Sequence, residues 1–353
     1  TIFLYANTHW FSWNGDVYAV DSPIAQDQYQ RVYFTGDGAP KYTNNGIATG
    51  GGALPFGEYL LGIEQPFQPS VTGITYYDQS ADLESGDDPA NYDTDDNSGF
   101  IDIEDGDDET RFYVVTHVSA YGEESMPSPV SGAAELQYHK DTVNLSFSQT
   151  GGFGNRNITK RRIYRTVTSA SDTDFYLVDE IPITQSTYTD SKQITQLGAL
   201  LSTEEYEPPP TTMDGIIVTS NGVVIGFAEN EIIPSEPYLP YAYPLAYRQS
   251  LAHNIKALAE MSAGIVVATD DKPAIISGVT PDSYSITVLD ASFPCVSSRS
   301  MVDMGEGIFE LRFRNGAVRQ GVFAYETHEL YEKDHCGEEW RGSVCAAGPE
   351  DGV

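Results

Sequence analysis

Four oxygen-bearing side chains, Asp93, Asp95, Asn97 and Glu104, stand at the first, third, fifth and twelfth places of a calcium-loop template. Oxygen ligands at that spacing can wrap a hard cation. The glycine that belongs at the sixth place stands one residue later, as Gly99, and no helical pattern flanks the segment. A solvated acidic loop accounts for these residues more simply than a calcium site. A second group, His328, Glu332 and His335, recurs at i, i+4 and i+7 with Cys336 alongside. On a helix these would share one face and offer ligand types that suit zinc. The helical metalloprotease pattern is not met, because Glu332 stands where its second histidine belongs. An ordinary amphipathic helix with polar residues is expected instead.

Arg156, Lys160, Arg161, Arg162 and Arg165 form the single basic cluster. Such a cluster can meet phosphate, but in so acidic a chain pairing with its own carboxylates or with another subunit is favoured. Cys295, in FPCVSSRS, has no His or Asn partner in a recognisable pattern and reads as a small buried hydrophobe. Asn144 and Asn157 open formal glycosylation sequons. No nucleophile elbow, phosphate-binding loop, dinucleotide fingerprint or paired metal-ligand spacing occurs. The expectation is a protein with no catalytic residue, no metal and no cofactor.

The elements that would position these residues are strands. Val32–Thr35 and Lys41–Thr43 flank Gly36-Asp37-Gly38, a hairpin-type loop. Residues 44–56 are too glycine-rich for either regular element. RFYVVTHVSAYG, VNLSFSQ, KRRIYRT, DFYLVDEIP and STYTD follow as short strands. After the stiff EEYEPPP segment, IIVTS and VVIGF flank Asn221-Gly222, which predicts a two-residue type I′ turn. EIIPS, IVVAT, AIISG, SYSITVL, FELRF and AVRQGVF continue an antiparallel meander, as in a sandwich, barrel or propeller. YETHELYEKDHCGEEW predicts a C-terminal helix. The expected order is an N-terminal β-region over residues 1–77, an acidic loop over 78–110 and a β-domain over 111–192. A Pro-rich linker over 193–213 and a hairpin region over 214–353, ending in that helix, complete it.

Charge bounds the function. The 353 residues carry 52 Asp+Glu against 19 Lys+Arg, a formal net charge of −33. No Lys or Arg lies between Lys41 and Arg111, while Asp78 to Glu109 alone holds fourteen acidic residues. Gripping DNA phosphates needs clustered cations, so the composition argues against direct gripping of DNA phosphates. Self-repulsion at this charge calls for salt or bound cations, which fits a saline or halophilic setting. A surface that repels phosphate is the second use of such charge. No apolar run reaches the roughly 18–20 residues of a membrane span. Thr1 opens directly on TIFLY without initiator Met or signal pattern, so a longer natural N-terminus is expected. The cysteines, Cys295, Cys336 and Cys345, are too few for a disulfide framework.

Two resemblances add to this. IYRT, FYLVDEIP and STYTD resemble the third strand, next strand and following corner of a fibronectin type III-like sandwich, and YGEESMPSP the turn before its last strand. The order departs from that family: the closing strands come first, and nothing after Asp190 continues it. Circular permutation and an insertion that borrows the layout both fit. Separately, VDSPIAQDQYQRVYFTGDGAPKYT, KRRIYRT, EIPITQSTYTD, PSEPYLPYAYP and PCVSSRSMVDMGEG resemble, in this order, virion structural proteins of tailed phages and prophages. The hairpins leading into IGFAENEIIPSEPYLPYAYP are similar to nozzle, or tail tubular protein B-like, proteins of short-tailed phages. The stretch after Gly307 departs from them.

That resemblance implies a β-propeller-based subunit with inserted β-domains. It would form a homohexameric ring in the virion tail, below portal and adaptor. Double-stranded DNA would pass through the lumen without sequence-specific binding. Tyr- and Pro-rich loops such as YLPYAYP would suit interfaces, and the acidic stretch would face lumen or solvent. The competing reading is a secreted or surface module that binds glycan or receptor, with calcium at residues 93–104. A β-propeller hydrolase is a third, without a visible catalytic constellation.

Overall fold

The computed structural model describes residues 1–50, 52, 55, 57–77, 109–137, 140–167, 174–261, 264–290, 294–295, 301–303, 309–311, 320–323 and 330–333. The chain is all-β and antiparallel, 44% strand, with 4% in helical turns. It divides into two compact units, residues 1–62 with 208–353, and residues 63–207. The second unit therefore starts at Ile63, ahead of the acidic stretch, where the sequence reading starts it at residue 111. Asp93, Asp95, Asn97 and Glu104 lie outside the described residues, as does Asp78–Asp108 as a whole.

The first unit begins with a hairpin, β1 (Ile2–Tyr5) and β2 (His9–Ser12), with Leu4 opposite Trp10. Period-two alternation sorts its side chains. Tyr5, Phe11 and Phe3 turn inward onto Trp13, Val17, Val32 and Phe34. Ile2, Leu4 and Trp10 turn outward and stay exposed. Strands β3 (Tyr18–Asp21), β4 (Val32–Thr35), β5 (Lys41–Thr43) and β6 (Tyr59–Leu60) form a four-stranded meander in sequence order.

The loop after β4 depends on Gly36, whose φ is +93° and whose added Cβ would lie 2.1 Å from the Asp16 carbonyl oxygen. That oxygen is backbone and cannot swing aside. Gly36→Ala is expected to cost about 2–3 kcal/mol from left-handed strain and the forced shift. Thermal melting checks it: the midpoint should fall by several degrees.

The second unit has β7 (Ser70–Thr75), β8 (Glu109–Arg111), β9 (Tyr113–Ser119), β10 (Ala134–Leu136), β11 (Thr142–Ser146), β12 (Ile158–Thr166), β13 (Phe175–Pro182) and β14 (Thr187–Asp190). They form two three-stranded sheets, β14-β11-β7 and β13-β12-β9, with the pair β10-β8 beside them. Tyr113, Val115 and Ile163 from one sheet and Val143 and Leu145 from the other belong to one core, with Val71 and Ile74 of β7 packed on it. Full burial of each such aliphatic side chain contributes about 1.5–3 kcal/mol.

The first unit resumes with three further meanders. They are β15 (Asp214–Val218), β16 (Val224–Ala228), β17 (Glu231–Pro234) and β18 (Gln249–Ser250); β19 (Ile255–Met261), β20 (Gly264–Thr269), β21 (Ala274–Ser277) and β22 (Ser285–Val288); and β23 (Val302–Asp303), β24 (Phe309–Leu311), β25 (Gln320–Phe323) and β26 (Leu330–Lys333). Sheets β15–β18 and β19–β22 share a core of Val223, Ile225, Ile232, Leu258, Ile265, Val267 and Ile276. The opposite face of β19–β22 buries Ala257, Val266, Ala268, Ile275 and Cys295. Burial on both faces is why IVVAT and AIIS read as unbroken apolar runs.

Two local expectations are corrected. The turn at Asn221-Gly222 is not the two-residue I′ type, which needs positive φ at both residues. Thr219 and Val223 pair across three loop residues, and Gly222 is left-handed (φ +78°) while Asn221 is not. This is the alternative three-residue hairpin, a type I turn followed by one left-handed position. The C-terminal helix is also absent where it can be seen: Leu330–Lys333 is strand β26, with Leu330 opposite Phe323 and Lys333 opposite Gln320. Ladder pairing overrides the local helix propensity of Leu, Glu and Lys. The helical spacing that would gather His328, Glu332, His335 and Cys336 is thereby lost at Glu332; the other three lie outside the described residues.

Candidate functional site

The basic cluster lies on β12 and, at Arg156, just before it, and each of its cations is engaged within its own unit. Arg156 meets Glu64 at 2.7 Å, and Lys160 meets Glu180 at 2.5 Å. Arg162 bridges Glu124 at 2.5 Å and Glu180 at 3.0 Å. Arg165 donates to Asp190 at 3.0 Å and to the Lys192 carbonyl at 2.9 Å. Arg161 meets no carboxylate among the described residues: it donates to the Gln185 carbonyl at 3.0 Å and to the Gln149 carbonyl, its guanidinium lying 4.3 Å from the Phe147 ring centre. A phosphate-binding patch is not what these residues build. Of the two alternatives, pairing with the protein's own acids is the one found, Arg161 excepted.

Alternation along β12 explains the division of labour. Arg161, Ile163 and Arg165 share one face, the face of the two-sheet core, while Lys160 and Arg162 share the other. Burial pushes the Arg161 guanidinium down to about 10, still charged at neutral pH. Burial alone would lower Arg162 as well, but the charge of Glu124 and the hydrogen bond to Glu180 hold it above its ordinary value. Glu124 is itself buried and accepts from Thr116 at 2.6 Å and from the Tyr164 hydroxyl at 2.7 Å.

Asp190 ends β14 and is fully buried. Its Oδ2 accepts from Arg165 at 3.0 Å and from the Tyr113 hydroxyl at 2.8 Å, and Arg111 stands 3.9 Å away. Arg111 is held by Glu109 at 2.7 Å, whose hydrogen bond and charge outweigh desolvation and keep its pKa raised. Burial first, and the Asp190 charge second, push the Tyr113 phenol far up. Because Arg165 and Tyr113 belong to one sheet and Asp190 to the other, this network is a polar tie across the core. Tyr188 of β14 adds a second tie, donating to Asp179 of β13 at 3.0 Å. The sequence pointed to the arginines but not to Glu109, Glu124 or Asp190. Asp190 ends a Thr-Tyr-Thr strand, and nothing in that pattern marks it as the partner of an arginine in the opposite sheet.

Other flagged residues fall in structural roles. Cys295 is buried against Ala257, Met261 and Val266, as a small hydrophobe would be. Asn144 sits in the central strand β11, its amide nitrogen donating to Thr75 at 3.3 Å and its oxygen accepting from Thr189 at 2.8 Å, so a glycan on that nitrogen would intrude on the contact with Thr75. Asn157 precedes β12 in a left-handed conformation (φ 56°). No group of three or more metal-ligating side chains occurs among the described residues, and no helix there is long and apolar enough to cross a membrane.

The YLPYAYP loop differs from the interface loop expected of it. Pro240, Ala242, Tyr243 and Pro244 are buried, and Tyr238 is the exposed aromatic, packed over Gly222. Burial pushes the Tyr243 phenol far above its ordinary value. Exposed apolar side chains lie instead on the outer face of β1–β2, at Ile2 (71%), Leu4 and Trp10 (59%), and at Tyr238, Leu245 and Val279. No protein-family model matches this chain, and no curated protein matches it.

Proposed function

We propose that this chain is a structural subunit of a tailed-virus particle, a nozzle-like ring subunit through which DNA leaves towards the cell. In this reading the first unit is propeller-like and the second is an inserted fibronectin type III-like domain. One observation carries it: four sequential four-stranded antiparallel meanders, β3–β6, β15–β18, β19–β22 and β23–β26, interrupted after the first by a separate two-sheet unit. Successive meanders of that kind are how propeller blades are built. The quoted phage-like phrases fall along this layout, at β3–β5, β12, β13–β14 and the turn after β17. The acid excess supports a conduit role, because a wall rich in carboxylate repels a passing phosphate backbone.

A closed ring needs a heterologous, self-repeating contact between copies. The exposed apolar side chains of β1–β2 are the kind of residues such a contact uses. The expected result is hexameric rings of the isolated protein by negative-stain imaging, strengthened at high salt as self-repulsion is screened. A monomer at both physiological and high salt would overturn the proposal.

A further inference from the structure

A shallow cleft of about 490 Å³ opens in the first unit, between the ends of β1 and β3 and the loop that follows β3. At its base Tyr5 is 4% exposed, its ring stacked on Phe11 at 5.1 Å. The Tyr5 hydroxyl is buried and has no hydrogen-bond partner among the described residues. Two carboxylates line the same cleft. Asp27 is committed, to Arg31 at 2.7 Å and to the Tyr29 backbone N–H at 3.1 Å. Asp21, at the exposed end of β3, makes no ion pair among the described residues, and partial desolvation holds its carboxyl above the ordinary value. Burial raises the Tyr5 phenol too, and the charges of Asp21 and Asp27 add to it.

The backbone around the cleft is held in costly shapes. Gln26 (φ 55°) and Gln30 (φ 47°) on one wall and Ala6 (φ 47°) on the other are left-handed without being glycine. Each is a sparsely populated shape for a residue that carries a side chain, and such residues gather where a loop must keep a set form.

We propose that this cleft binds a primary alkylammonium group, carried by a lysine side chain or by a free diamine. Arg31, the cation in the lining, is held by Asp27, and the groups left on offer are acceptors: one uncommitted carboxylate, a phenol oxygen and the amide oxygens of the glutamines. An ammonium brings three donors and one charge to match them. Ile24 and Ala6 line the same cleft and can take the alkyl stem. A calcium ion would need six to eight oxygens, including more than one free carboxylate. A sugar ring would want an open aromatic face, and the Tyr5 ring is buried against Phe11. The net charge of −33 concentrates cations near the surface in addition.

The test is calorimetry on the full chain at about 0.15 M salt, where diffuse attraction is screened, with cadaverine and Nα-acetyl-lysine methylamide as probes. One saturable site is expected. Asp21→Asn should weaken it at least roughly tenfold, the loss of a charge-assisted bond, and Tyr5→Phe by several-fold. Asp282→Asn, which removes the same charge from an exposed turn, should leave it unchanged. Tighter binding of cadaverine identifies a free amine as the ligand, and tighter binding of the lysine derivative a partner's side chain. No saturable site, or equal weakening by Asp21→Asn and Asp282→Asn, overturns the proposal. Unchanged melting of the variants ensures that binding, and not folding, is read.

Discussion

Asp190→Ala is expected to destabilise the unit of residues 63–207 by about 3–5 kcal/mol, the cost of leaving a buried charge without its partner. Asp190 and Arg165 are both fully buried, and Arg111 is nearly so. With Glu109, these four groups balance, two positive against two negative. Removing Asp190 leaves Arg165 with one backbone carbonyl and no carboxylate, and strands the Tyr113 hydroxyl in the core. The Lys192 backbone N–H, which donates to Asp190 at 3.0 Å, loses its acceptor as well.

Chemical denaturation of Asp190→Ala, Arg165→Met and the double variant measures the coupling. The double variant should lose less than the sum of the two single ones, because it leaves no orphaned guanidinium. A cost below about 1 kcal/mol for Asp190→Ala, in the range of an exposed ion pair, would show that the tie across the sheets is not what holds them.

That network also marks where sequence reading stops. Strands with a clear apolar pattern, alternating or unbroken, and a turn at each end, such as β9, β12, β13 and β20, are visible in the sequence. Strand β7 is not: SVTGIT contains Gly73, has few large apolar residues, and is followed by the acidic stretch. Yet β7 pairs with β11 and supplies Val71 and Ile74 to the core. Missing it left one edge of the β14-β11-β7 sheet unread and moved the unit's expected boundary past the acidic stretch. The C-terminal segment fails for the opposite reason. Its residues favour a helix locally, and only pairing with β25, which no local pattern records, makes Leu330–Lys333 a strand. The candidate site follows the same rule. Counting basic residues finds the arginines of β12, but whether they face water, phosphate or each other's counter-ions depends on β14 and on the turn holding Glu124, distant in sequence and close in space.

Acid should weaken the same unit through His117. This residue is 2% exposed on β9, edge-on to Phe153 at 5.0 Å, and its Nε2 has no partner among the described residues. Burial, reinforced by the charge of Arg161, pushes it down to about 3. In the unfolded chain it returns to about 6.5. Between those values the unfolded state binds a proton that the folded state refuses, so stability falls as pH drops from about 6.5 towards 3, by at most about 1.4 kcal/mol per unit.

Carboxylates held below their ordinary range, Asp27 and Glu180 among them, act at lower pH, because their contribution is lost only as pH falls below the unfolded carboxylate value, near 4. The window from about pH 6.5 to 5 therefore isolates the histidine. His117→Leu removes the titration and keeps an apolar filling, so its unfolding free energy should run flatter than that of the unchanged protein across that window, the two curves diverging as pH falls. Parallel curves would mean that His117 takes up its proton in the folded state. The arginine cluster read at first as a possible phosphate site would then have to tolerate a second cation beside Arg161, which the desolvated surroundings of that guanidinium oppose.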